Sequence, residues 1–90
     1  MRTELGEDEV VLVHESLRRE LALTEAKAKL LREELEQFEQ RYEMSSEDFV
    51  AQFERGELGD SQGFFEWWGL VRGLKKLEEQ LGRIKAVLYT

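Results

Sequence analysis

From Val10 to Tyr42 the apolar and small residues recur in alternating steps of four and three: Val10, His14, Leu17, Leu21, Thr24, Ala28, Leu31, Leu35, Phe38 and Tyr42. A mean step of about 3.5 residues is the signature of a coiled-coil seam rather than of a plain amphipathic helix. It predicts one helix over 7–43, about 50 Å long, after a disordered tail at 1–6. A helix of that length cannot bury its stripe by folding on itself, so a second helix must cover it. Proline is absent throughout, so no missing backbone donor need break it.

A second seam follows with the same spacing: Trp67, Leu70, Leu74, Leu77, Leu81, Ile84 and Leu88, predicting a helix over 61–88 that Asp60 or Ser61 would cap. Three of its residues, Gly69, Gly73 and Gly82, each weaken a helix by about 1 kcal/mol relative to alanine, and close packing on a neighbour is a reason to keep them. Between the seams, Ser45 with Asp48 three positions on resembles a capping box and starts a short helix over 46–56, with Phe49, Val50 and Phe53 on one narrow face. Gly56 stops that helix, and 57–60 form a turn. The expected fold is all-α, a long antiparallel helical hairpin or coiled coil with a short intervening helix, dimerising into a helical bundle.

The dimer expectation comes from charges flanking the first seam. With Leu21, Ala28 and Leu35 at position a, the e residues are Arg18, Glu25, Arg32 and Glu39, and the g residues are Glu20, Lys27, Glu34 and Arg41. A parallel pair would set Glu20 on Glu25, Lys27 on Arg32 and Glu34 on Glu39, all repulsive. An antiparallel pair centred near Ala28 to Leu31 sets Arg18 on Glu39, Glu25 on Arg32, Glu20 on Arg41 and Lys27 on Glu34, all attractive. Each exposed pair contributes only about 0.2–1 kcal/mol, too little to drive association but enough to select an orientation. The expected seam of an antiparallel homodimer is Leu17, Leu21, Ala28, Leu31, Leu35, Phe38 and Tyr42. The competing reading is that the alternating charges solvate a helix packed on its own chain.

Composition bounds the chemistry. Ninety residues make at most one domain, small enough that a partner often completes its core. With no cysteine there is no disulfide or thiolate, and the default location is cytoplasmic. No segment reads as a signal or membrane span. The single His14 stands at a seam position without the second histidine that a helical zinc motif needs. Gly56 and Gly59 lack the GK[ST] ending of a phosphate loop, and the carboxylates fall into i to i+4 pairs such as Glu15 with Arg19. No catalytic residue, cofactor or metal is expected.

The net charge of −7 is uneven: twelve acids against seven bases in 1–44, six against one in 45–68, two against five in 69–90. Nucleic-acid binding is not expected, because a basic face should dominate such a domain. An acidic chain suits a basic partner. The stretch 45–68 also holds both tryptophans and four of the five phenylalanines. Phe64, Phe65, Trp67 and Trp68 point to nearly every side of one helix, leaving two readings open. They build the corner joining three helices, or they leave Phe65 and Trp68 as an exposed anchor rimmed by Glu57, Asp60 and Glu66.

The run Ser46, Phe49, Phe53, Gly56, Glu57, Leu58, Gly59, Asp60, Phe65, Glu66, Trp67 and Trp68 resembles a segment of small acidic prokaryotic proteins encoded beside a toxin gene, the antitoxin partners of toxin–antitoxin pairs. The resemblance covers about the second half of the chain, and Gly59-Asp60 followed by Phe-Glu-Trp-Trp is its most distinctive part. It implies a protein that neutralises a toxin, often a ribonuclease, by binding it; a nuclease-like toxin must present a basic groove for the RNA backbone, which an acidic surface can occupy. On that reading Glu57, Asp60 and Glu66 supply the electrostatic contact and Phe65, Trp67 and Trp68 the apolar one. Neither a helix-turn-helix nor a basic ribbon is evident, so operator binding by this chain is not implied. The alternative is a structural or adaptor coiled coil whose only partner is itself or another helix.

Overall fold

The computed structural model describes residues 6–89 and is all-helical, with no strand among them. Its elements are α1 (Glu7–Tyr42), α2 (Ser46–Glu54) and α3 (Gln62–Leu88). The predicted tail at 1–6 lies outside the described residues except for Gly6, the N-cap of α1. α1 has no side-chain cap, but Glu7, Asp8 and Glu9 in its first turn oppose the positive end of the helix dipole. It ends at Glu43, a non-glycine residue in the left-handed region at φ 51°.

α2 begins as expected, with Ser45 Oγ accepting from the Asp48 N–H at 3.1 Å. A second orphan donor, the Ser46 N–H, is met from outside by Glu39 Oε2 at 2.7 Å, which ties the start of α2 to α1. Gly56 closes α2 at φ 75°, and the Glu57 N–H reaches back to the Gln52 carbonyl at 3.0 Å in a Schellman-type stop. Ser61 is the N-cap of α3, but its hydroxyl makes no capping bond.

α1 and α3 pack antiparallel as a hairpin within a molecule 56 Å long. The first seam is where the heptad pattern places it. Thr24 (1 %), Ala28 (0 %) and Leu35 (7 %) are buried, while Leu17, Leu21, Leu31, Phe38 and Tyr42 are half-buried. The helix against it is α3 of the same chain, contributing Leu81 and Ile84 to the buried set. The flanking charges are also used internally. Glu25 pairs with Lys85 at 3.8 Å, Arg32 with Glu78 at 3.9 Å, and Glu20 Oε1 accepts from Gln80 Nε2 at 3.2 Å. The antiparallel preference written in the e and g positions is therefore met by α3. A homodimer register centred on Ala28 to Leu31 would need surface that α3 already covers.

The expected reason for the glycines of α3 holds only in part. A Cβ on Gly73 would sit 3.7 Å from Leu31 Cδ1, an ordinary contact, whereas Gly69 and Gly82 face open space. Nothing at those two positions offsets the loss of helix propensity. Gly82→Ala should accordingly raise the unfolding free energy by about 0.5–1 kcal/mol in urea denaturation, since it removes backbone freedom from the unfolded chain. Ala28→Leu should do the opposite, lowering it by about 1–3 kcal/mol by overfilling the closest part of the seam.

Candidate functional site

The aromatic core cluster lies where the C-terminal end of α1, all of α2 and the first turns of α3 meet. Its centre is Trp67, fully buried. Phe49 of α2 stacks on it at 3.8 Å between ring centroids, and Phe38 and Tyr42 of α1 stack on it at 5.6 Å each. Its indole N–H donates to Ser46 Oγ at 2.9 Å, so the polar atom that burial would otherwise strand is satisfied. Phe64 completes this side, edge-on to Tyr42 at 5.3 Å.

Trp67 was expected on a partner surface. It is instead the core residue joining three helices, because the heptad seam of α3 starts at Trp67 and turns that side chain toward α1. For Trp67 and Phe64, the corner reading is the one that holds.

The other two rings lie on the outer side. Phe65 is 52 % exposed and rests edge-on against Phe53 at 5.3 Å. Trp68 is half-buried, 6.3 Å from Phe53, with the Arg72 guanidinium 5.0 Å from its ring centroid. The Trp68 indole nitrogen is enclosed and has no hydrogen-bond partner among the described residues. The contact with Arg72 was not anticipated, though its spacing, four residues along a helix, is the one that brings a cation over an aromatic face. Arg72 and Lys75 also form one wall of a groove of about 320 Å³ between α2 and α3, with Val50 and Val71 on its floor and Glu47 and Glu54 opposite.

The three acids expected around these rings are exposed but not equivalent. Glu57 accepts two bonds from Arg55, at 3.0 and 3.2 Å. Those bonds hold its carboxyl below the usual glutamate range and commit its charge locally. Asp60 and Glu66 make no ion pair among the described residues and keep their charges available. Of the expected partner residues, Phe65, Asp60, Glu66 and Glu57 are exposed, Trp68 is half-buried and Trp67 is fully buried, with Glu57 already paired to Arg55.

No group of three or more acidic, histidine or cysteine side chains among the described residues could hold a metal ion. No helix there is long and apolar enough to cross a membrane. What the corner offers is one exposed ring, Phe65, packed edge-on against an aromatic core. Trp67→Ala should therefore cost about 3–5 kcal/mol in chemical denaturation, whereas Phe65→Ala should cost under about 1 kcal/mol, because one ring is core and the other is mostly in water. No family model matches the chain, and no curated protein and no solved structure shows significant similarity to it.

Proposed function

We propose that this chain is a non-catalytic cytoplasmic binding module of the antitoxin type, which neutralises a basic partner protein by occupying its functional surface. The observation that carries the reading is Phe65. It stands half in water on a ring stack anchored by Phe53 and Phe49, with two uncommitted carboxylates, Asp60 and Glu66, close along the chain. An aromatic side chain held rigid before binding loses little entropy on docking, which is what makes such residues interface anchors. The surplus of acid on a chain of net charge −7 steers it toward a basic surface, and a ribonuclease must present one to hold the RNA backbone. In this mechanism the acids compete for the site that phosphates would occupy, and Phe65 fixes the register.

The adaptor reading draws its support from a different surface. Leu23 and Leu30 are 58 % and 61 % exposed on the side of α1 turned away from α3, which suits a helix that meets others.

The two readings separate first in the gene neighbourhood, where the antitoxin reading expects an adjacent gene for a basic protein, and then in a binding measurement with that gene's product. Calorimetry on the purified pair should show Phe65→Ala weakening the complex by about ten- to a hundredfold, with thermal unfolding nearly unchanged. Glu66→Lys should mainly slow association and flatten its dependence on salt. Failure of the two wild-type proteins to associate would remove the antitoxin reading and leave the adaptor.

A further inference from the structure

The hairpin is uneven. Lys85 reaches Glu25, Glu78 reaches Arg32 and Trp67 stacks on Phe38, and in that antiparallel register the last residue of α3, Leu88, lies beside the Leu17–Leu21 turn of α1. The first turns of α1 run on past it and lie exposed. Residues 7–13 are all exposed, among them Val10 (39 %), Val11 (54 %), Leu12 (59 %) and Val13 (43 %). Four consecutive apolar residues cover every side of a helix, a pattern that belongs to a buried helix rather than to one in water.

We infer that this overhang is a dimerisation surface, and that its occupant is the same overhang of a second copy, lying antiparallel across a two-fold axis near Leu12. The seam itself argues for this occupant. Val10 and His14 continue the heptad stripe that α3 covers from Leu17 onward, so the free stretch belongs to an interface already in use. An antiparallel second α1 has the same direction as α3 and takes up its track where α3 stops. In that arrangement Val10 of one copy layers on His14 of the other, and the flanking positions Val11 and Val13 each meet their own counterparts. Elsewhere along α1 the equivalent e and g positions are charged, at Arg18, Glu20, Glu25, Lys27, Arg32 and Glu34. Only in the overhang do both become valine.

The overlap itself carries four acids and no lysine or arginine on each copy, Glu7, Asp8, Glu9 and Glu15, and contacts at its ends offset that repulsion. The start of the second α1, with Glu7, Asp8 and Glu9 in its first turn, comes to the end of α3, whose last turn carries Lys85, and to Arg18 beside it. The helix dipoles then run head to tail, with exposed N–H groups facing exposed carbonyls. The overlap involves residues 7–17, about 16 Å of helix on each copy, so the association is concentration-dependent rather than obligate. It leaves the aromatic corner at the far end of each hairpin free.

Sedimentation equilibrium on the full chain, from about 5 to about 500 µM, tests the inference. A reversible monomer–dimer equilibrium is expected. The double variant Val11→Glu with Val13→Glu should raise the dissociation constant more than tenfold while leaving far-UV helicity and the near-UV tryptophan signal in place. A single cysteine at position 13, introduced into this cysteine-free chain, should self-link on mild oxidation much faster than one at the exposed back-face position 23. A chain that stays monomeric over the whole range would overturn the proposal. So would a dimer that survives the double glutamate variant, or one abolished instead by Leu23→Glu with Leu30→Glu, which would place the interface on the back of α1.

Discussion

Trp67 is the contact on which the rest depends. A nine-residue helix such as α2 has no stability of its own in water, and its place is defined by Phe49 lying on the Trp67 ring and by Ser46 receiving the indole N–H. On its other side Trp67 touches Phe38 and Tyr42, so one side chain fixes the last turns of α1, the whole of α2 and the start of α3. A Ser45 cap, a Glu39 carboxylate on the Ser46 N–H and the Gly56 stop then hold α2 at both ends without adding core. The rigidity of the corner is what turns Phe65 from a loose exposed ring into a surface with a defined shape.

The long arm of the hairpin is held differently. Its interior is narrow, with small residues Thr24 and Ala28 letting α3 approach, and orientation comes from modest polar contacts along the flanks. Glu25 with Lys85 and Arg32 with Glu78 are exposed pairs that add little stability. They matter because the opposite orientation would set like charges together. The Glu20 carboxylate serves both Gln80 and Thr24, so the buried hydroxyl of Thr24 is not left without a partner. The two ends of the molecule thereby separate in character, a polished aromatic corner at one and an apolar, uncovered helix end at the other.

Much of the fold was legible because periodicity is a local property. The 3.5-residue steps from Val10 to Tyr42 and from Trp67 to Leu88 marked both seams, and Ser45, Asp48 and Gly56 marked the ends of α2 through the chemistry of capping and of positive φ. The division of the aromatic cluster was less legible. Phe64, Phe65, Trp67 and Trp68 are adjacent in the chain and alike in hydrophobicity, and only the direction from which α1 and α2 approach makes Trp67 core and Phe65 surface. The same holds for Glu57, whose charge is spent on Arg55 because the Gly56 turn brings the two together.

What the sequence by itself determined is helix content, the faces to be buried and the preference for antiparallel neighbours, all of which follow from residue spacing along one chain. What only the tertiary structure decided is which antiparallel neighbour meets the first seam. A stripe of leucines flanked by alternating charges recognises a complementary helix, whether from a second copy or from its own chain, because its contacts are the same in kind. The α2 turn settles the choice by tethering α3 within reach, which makes the intramolecular encounter concentration-independent and leaves the Val10–Val13 end of the seam uncovered by α3.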